Sequence, residues 1–286
     1  MKWKDNKVGS IIDTFNIDLK DLYEEEEIKN FLFMLFEDLK AWTKADVILS
    51  KNERLSESEI LYFHFAAKRL QKFEPIQYII GKAYFDDMML HVNQKTLIPR
   101  QETEELVVLM EQYIKANNLE NSKIIDIGTG SGAIALALKK RIPSLKVDAL
   151  DFDEETLNVA TKNAKEQKLE VNFFLKNILE DDINDLDNYD IVVSNPPYVK
   201  ENEKNLMKAN VLEYEPHSAL FVANNDPFVF YNKIVSKFSK KGTSVFFFEI
   251  NEFLGEEMVE LFKNNFSKVE LIQDLQNKNR FLHLKK

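Results

Sequence analysis

Three of the seven glycines of this chain fall within five residues, in Gly128-Thr129-Gly130-Ser131-Gly132. A scarce residue clustered this way marks a backbone with special demands, because glycine permits positive φ and lets a ligand approach the main chain. The cluster follows an apolar run, Lys123–Ile127, and opens a helical one, Ala133–Lys140. A tight strand-to-helix turn with exposed helix N–H groups is the expectation. The spacing is not the full G-x-G-x-x-G dinucleotide fingerprint, since position 133 is Ala, which disfavours a pyrophosphate reader. A ligand with an amino-acid tail and a ribose fits the turn at least as well. Asp151 ends the next apolar run, 23 residues after Gly128, where a carboxylate can accept both ribose hydroxyls.

The rest of the chain sets this turn in a repeating context. Apolar strands at Lys146–Leu150, Val171–Leu175, Tyr189–Ser194 and Ser244–Ile250 alternate with helical stretches such as Glu154–Gln167. Lys268–Gln273 and Phe281–Leu284 add two more strands, seven in all. Such alternation predicts an α/β, Rossmann-like, doubly wound and mainly parallel sheet over residues 99–286. Residues 1–75 read as a smaller helical domain. Ile28–Leu49 has apolar residues at helical spacing, and Ser56 with Glu59 forms a capping box ahead of a helix that ends before Pro75. Residues 76–98 read as a β-hairpin linker, with Tyr78–Gly81 and Met88–Val92 as strands and Asp86-Asp87 as turn signals.

Composition excludes several classes of function. Without cysteine there is no disulfide framework, thiolate metal site or Cys nucleophile. The four histidines, at 64, 91, 217 and 283, are too far apart in sequence for a helical metal pair, and each reads as a packing or surface residue. No metal is expected. A net charge of −10 argues against gripping long duplex DNA through its phosphates, and mixed stretches such as Lys200–Lys208 read as solvated faces. No apolar run approaches membrane-spanning length and the N-terminus does not read as a signal peptide, so a cytoplasmic protein is expected. No long heptad pattern is present, and a monomer is expected.

A second motif follows the fourth strand. In Asn195-Pro196-Pro197-Tyr198, consecutive prolines fix φ and remove N–H donors, leaving nearby carbonyls as pure acceptors. Asn195 adds a side-chain acceptor and Tyr198 a flat face. Strand four is expected beside strand one, so the tetrapeptide should face the glycine turn. Together these suit one task, holding a planar NH2 by both its hydrogens. Accepting both N–H bonds favours a pyramidal nitrogen with a localised lone pair, and alignment with an electrophilic methyl supplies most of the rest.

With these residues in view, the chain resembles the class I methyltransferases that use S-adenosylmethionine, and more narrowly the HemK family. The resemblance runs over almost the whole sequence. It is carried by Glu74–Gly81, Leu97-Ile98-Pro99-Arg100-Gln101-Glu102-Thr103-Glu104, Asp126–Ala135, Ser194–Val199 and Tyr214-Glu215-Pro216. It implies an N-terminal domain of about five helices that helps recognise a protein substrate. It also implies a catalytic domain that methylates the side-chain nitrogen (N5) of the Gln in the Gly-Gly-Gln motif of peptide chain release factors one and two. Carried over by position, Gly128, Thr129, Gly130, Ser131 and Gly132 would hold the methionine part of the cofactor, Asp151 the ribose, and Asn177 with Ile178 the adenine. Asn195 and the Pro196 carbonyl would hold the substrate amide, next to Pro197, with Tyr198 packing beside it.

Three positions depart from the family pattern. Gln101 replaces a Pro, and Glu249-Ile250-Asn251 replaces an E-x-G. Asn177 stands where Asp is common, which implies a weaker adenine contact or one through the side-chain oxygen. Other readings stay open. A sister branch methylates a ribosomal-protein Gln, but usually carries PRSP where this chain has the acidic Glu102-Thr103-Glu104. Adenine-N6 nucleic-acid methyltransferases share the tetrapeptide, and a non-catalytic cofactor-binding adapter would keep the glycine turn.

Overall fold

The computed structural model describes residues 5–207 and 209–286. They form two compact units, one built from the residues through Gly81 together with the segment 209–214, the other from the remainder.

The first unit is helical: α1 (Val8–Leu19), α2 (Glu25–Lys40), α3 (Lys44–Leu49), α4 (Glu57–Leu70) and α5 (Ile76–Ile80). They enclose a core that includes Ile11, Phe15, Leu35, Phe36, Phe63 and Leu70. The helical spacing read over Ile28–Leu49 is carried by two helices, α2 and α3. Ala41 adopts a left-handed conformation that ends α2, and Thr43 starts α3 with its own capping box. The capping box read at Ser56 is present, with the Glu59 N–H on Ser56 Oγ and the Ser56 N–H on Glu59 Oε2.

Tyr78–Gly81, expected as a strand, is instead the end of α5 and its C-cap. Pro75 stands at its N-cap and Gly81, at φ 71°, terminates it. The Arg69 guanidinium supplies what local propensity lacks. It is paired with Glu74 and donates to the Tyr78 and Ile79 carbonyls at 3.1 and 3.2 Å, satisfying acceptors that a short helix leaves bare.

The second unit opens with a hairpin, β1 (Lys82–Phe85) and β2 (Met88–His91). Its turn is Asp86-Asp87, both at positive φ (47° and 55°). Two-residue hairpin turns of this hand usually use Asn-Gly. Here the Asp86 carboxylate is held by Arg141, with Nε at 2.9 and 3.0 Å from its two oxygens, and Lys140 donates to the carbonyls of Asp86 and Asp87. Then come α6 (Gln101–Ala116), β3 (Lys123–Ile127), α7 (Ala133–Arg141), β4 (Lys146–Asp151), α8 (Glu154–Gln167), β5 (Asn172–Leu175), β6 (Ile191–Ser194) and β7 (Val199–Lys200). The segment α9 (Ala209–Tyr214) belongs to the first unit. The chain continues through α10 (His217–Leu220), β8 (Phe221–Val222), α11 (Val229–Lys240), β9 (Val245–Glu249), α12 (Gly255–Phe262), β10 (Lys268–Gln273) and β11 (Asn279–Lys285).

The main sheet has seven strands in the order β10-β11-β9-β6-β3-β4-β5. Pairs β9–β6, β6–β3, β3–β4 and β4–β5 are parallel, and β11 runs antiparallel between β9 and β10. Helices cover both faces. Along β9 the side chains alternate between two cores: Phe247 joins residues of α6, α7 and the hairpin, whereas Phe246 and Phe248 join residues of α11 and α12. A central strand buried on both faces explains the unbroken apolar run Val245–Phe248. Chain order reverses between β3 and β6, the switch point where open α/β sheets bind ligands beyond their carboxyl ends. Among the described residues, no helix is long and apolar enough to cross a membrane.

Candidate active site

At the switch point lies a cavity of about 570 Å³, lined entirely by residues of the second unit. That volume suits a drug-sized ligand. One wall is the turn after β3. Gly128, Gly130 and Gly132 have φ of 73°, 58° and 85°, values at which side chains are strained. A Cβ at Gly128 or Gly130 would meet nothing within 4 Å, so these two positions open the main chain to the cavity. Gly132 has a different reason. A Cβ there would stand 3.2 Å from Leu136 Cδ1 and 3.3 Å from Ala160 Cβ, because α8 packs close to the turn.

The amide hydrogens of this turn mostly fold the turn itself. Gly128 and Thr129 donate to the Leu150 carbonyl, Gly130 to Asp151 and Gly132 to Thr129. These four N–H groups are spent on the turn and on β4, so what Gly128 and Gly130 offer a ligand is close backbone approach. Ser131 is held from behind, its carbonyl accepting the Asn163 amide at 2.9 Å. Beneath the turn lies Asp126, fully buried. Its Oδ2 accepts the Thr129 hydroxyl at 2.7 Å, and its Oδ1 has no hydrogen-bond partner in the protein.

Asp151 ends β4 and lines the same cavity. Its two oxygens accept the N–H groups of Gly130 (3.0 Å) and Asp153 (3.2 Å). Burial pushes its carboxyl above the ordinary range, against the pull of these backbone donors. Each oxygen keeps a second lone pair for a ligand hydroxyl. Asn177 and Ile178 form the wall beyond β5. The Asn177 side-chain oxygen accepts the Leu179 N–H at 3.0 Å. That oxygen thus holds a local turn with one lone pair and keeps the other.

Asn195, Pro196 and Pro197 line the same cavity. Ser194 and Ile127 are register partners on adjacent parallel strands, and Ser194 Oγ donates to the Ile127 carbonyl at 2.7 Å. The loop and the glycine turn thus emerge side by side. Tyr198 lies next to this group but is not among the residues that line the cavity. Its ring packs on the core beneath α11, and its hydroxyl donates to Glu249 Oε1 at 3.1 Å. Burial holds the phenol well above its ordinary pKa, so it remains a donor.

Sequence reasoning assigned no role to several groups that complete the site. Arg100 lines the cavity, and its guanidinium binds the buried Glu215 at 2.6 Å. Thr103 also lines it, donates to Glu249 Oε2 at 2.7 Å and accepts from Asn195 Nδ2 at 3.2 Å. Arg100, Thr103 and Glu215 were visible only as parts of family-like strings, and Glu249 only as part of a departure from one.

Comparison with known proteins agrees with this arrangement. Residues 106–224 match the family described as Methyltransferase small domain, and residues 17–81 match the PrmC N-terminal domain. A release factor glutamine methyltransferase of Flavobacterium psychrophilum is 40% identical over 269 residues, 92% of this chain and 94% of that protein. The protein of that name from Bacteroides thetaiotaomicron is 40% identical over 92% of this chain and 95% of its own length. The one from Streptococcus pneumoniae is 37% identical over 96% and 97%. Among solved structures, the hMettl16 catalytic domain in complex with a MAT2A 3'UTR hairpin has a TM-score of 0.55 at 16% identity, covering 93% of this chain and 92% of that one. A T. Thermophilus 16S rRNA methyltransferase in complex with AdoMet and guanosine has a TM-score of 0.51 at 16% identity, covering 72% of this chain and 49% of that one. At such identity these two structures establish the fold alone.

The protein is a methyltransferase dependent on S-adenosylmethionine, and its residues suit that group. Two glycines without Cβ atoms open onto the cavity, a buried carboxylate has lone pairs to spare, and the wall by Ile178 is apolar. A full-length match at this identity and the convergence of both motifs on one cavity lead to a single assignment: this chain belongs to the release factor glutamine methyltransferase family.

Proposed function

We propose that the chain transfers a methyl group from S-adenosylmethionine to N5 of the Gln in the Gly-Gly-Gln motif of peptide chain release factors one and two. The observation that carries this reading is that Asn195-Pro196-Pro197 and the glycine turn line one cavity. When bound, S-adenosylmethionine supplies an electrophilic methyl on a sulfonium. Gly128–Gly132 approach its methionine part, Asp151 accepts its ribose hydroxyls, and Asn177 and Ile178 flank its adenine. Asn195 Oδ1 and the Pro196 carbonyl each accept one hydrogen of the substrate amide. Holding both would orient the nitrogen lone pair for attack; the N–CH3 bond would form as the sulfonium S–CH3 bond breaks, S-adenosylhomocysteine would leave as the neutral thioether, and one amide proton would pass to water. Pro197 keeps that loop stiff, and Tyr198 braces it from outside the cavity.

In this reading the helical unit, the residues through Gly81 with the segment 209–214, recognises the protein substrate, and the hairpin Lys82–His91 belongs to the catalytic unit rather than to a linker over 76–98. The enzyme acts as a cytoplasmic monomer and does not itself bind nucleic acid, in keeping with its charge of −10. The test is an acceptor panel. Purified release factor, a ribosomal-protein pool and duplex DNA are incubated with enzyme and labelled S-adenosylmethionine. Label on release factor alone is expected. Label on the ribosomal pool instead moves the enzyme to the sister branch, label on DNA refutes the protein substrate, and cofactor binding without label favours the adapter.

A further inference from the structure

Four polar groups from three parts of the chain form one connected line beside the cavity. Asn195 Nδ2 lies 3.2 Å from Thr103 Oγ1, and Thr103 Oγ1 lies 2.7 Å from Glu249 Oε2. Glu249 Oε1 in turn accepts the Tyr198 hydroxyl at 3.1 Å. Thr103 sits in the first turn of α6, Glu249 ends β9, and both are buried. The Glu249 main chain is tied down as well, its carbonyl accepting the Tyr231 hydroxyl at 3.0 Å.

The direction of these bonds follows from donor counting. Burial raises the Glu249 pKa, opposed by the Thr103 and Tyr198 hydroxyls and the Arg280 charge. With a hydroxyl directed at each of its two oxygens, Glu249 acts as the acceptor on both sides, the role of the ionised carboxylate. Thr103 has a single hydroxyl proton, and Glu249 takes it. What Thr103 then has left to offer Asn195 is a lone pair. A lone pair can be met only by the NH2 of the Asn195 amide and never by its oxygen. The planar amide is thereby held in one of its two flipped orientations, with the NH2 toward α6 and Oδ1 on the opposite side. The alternative orientation would set Oδ1 against the Thr103 oxygen, leaving two acceptors face to face and a donor unpaired.

We infer that Thr103 and Glu249 are positioning residues that fix the Asn195 amide with its oxygen, not its NH2, presented to the acceptor substrate. This rests on the reading of Asn195 as an acceptor for the substrate amide. It explains why a hydroxyl is needed at position 103. An Asn free to flip would present donors to an amide that itself brings donors, and would repel the substrate for part of the time. Pro196 needs no such device, since a main-chain carbonyl cannot flip.

The experiment compares Thr103→Val, which keeps the shape and removes the hydroxyl, with Thr103→Ser, which restores it. For Thr103→Val, kcat/KM for the protein acceptor is expected to fall by about tenfold or more while the cofactor Kd stays within about twofold. Thr103→Ser should recover to within about threefold of wild type. A purely structural role would shift cofactor Kd and thermal midpoint together with kcat/KM. Full activity in Thr103→Val, or an equal loss in Thr103→Ser, overturns the inference.

A second readout does not need catalysis. In the wild-type protein, ¹⁵N NMR of the Asn195 side chain, assigned by its loss in Asn195→Asp, should show one Nδ2 proton exchanging slowly. That protection should vanish in Thr103→Val and persist in Thr103→Ser. Equally fast exchange of both protons in wild type overturns the inference whether or not the variants fold. If wild type transfers no methyl to release factor, the substrate assignment fails and the NMR result still decides the positioning role.

Discussion

Asp151 Oδ2 accepts the Gly130 N–H at 3.0 Å, so the carboxylate that ends β4 is also the clasp that holds the glycine turn after β3. One side chain couples two halves of the cofactor site. In the proposed reading Asp151→Ala would remove a ribose acceptor, and it loosens the turn at once. Cofactor affinity should fall by tenfold or more, since a charged hydrogen bond is worth about 1.5–3 kcal/mol. Isothermal calorimetry with S-adenosylmethionine measures it, and unchanged affinity contradicts the assignment.

Gly132 serves packing as well as conformation. Gly132→Ala forces φ of 85° on a residue with a Cβ, only 3.2 Å from Leu136 Cδ1. A loss of about 1–2 kcal/mol from backbone strain is expected, with further cost from the contact. Gly128→Ala meets strain but open space, so its thermal midpoint should fall less while its cofactor affinity falls more. Denaturation and binding curves of the two variants check the contrast.

The pKa of Asp126 is raised to about 7, chiefly by burial, with the Asp151 charge adding to it and the Thr129 hydroxyl opposing. A carboxyl whose pKa is higher folded than unfolded favours the fold when protonated. Its contribution is fully present below about pH 4 and is lost as pH rises through about 7. Asp126→Asn should flatten this part of the stability profile of the cofactor-free protein between those limits. Urea melts across that range decide it, and identical slopes in both proteins contradict the burial argument.

Asn163 clips three segments together from α8. It donates to the Ser131 and His91 carbonyls at 2.9 and 3.0 Å and accepts the His91 N–H at 2.7 Å. The residue is buried, so Asn163→Ala strands polar groups without water. A cost of about 1–3 kcal/mol is expected from the unmet partners. Chemical denaturation measures it.

Much of this was legible in the sequence because period and turn chemistry are local. The glycine turn, Asp151 and the seven strands each announce themselves within a few residues, and β6 falls beside β3 as the alternation implied. What failed locally was overridden from a distance. Tyr78–Ile80 carries β-like residues, yet Arg69 caps it as a helix from the preceding one. The α2–α3 break at Ala41 has no glycine or proline to mark it. Thr103 and Glu249 lie 146 residues apart, and only the completed sheet brings that hydroxyl to that carboxylate. The sequence offers Asn195 as an acceptor through its neighbours, but not the Thr103 hydroxyl, 92 residues away, that its NH2 meets.

The central claim is that the Asn195 loop presents a Gln side-chain amide to the methyl donor. The most direct measurement is the initial rate of labelled methyl transfer to release factor, at saturating cofactor, for wild type and Asn195→Ala. A release factor carrying Gly-Gly-Ala in place of Gly-Gly-Gln serves as the second acceptor. Wild type should label only the Gln-containing acceptor, and Asn195→Ala should lose at least a hundredfold in rate, the scale of a lost transition-state contact, with cofactor Kd nearly unchanged. Label on the Gly-Gly-Ala acceptor, or a near wild-type rate for Asn195→Ala, would contradict the account.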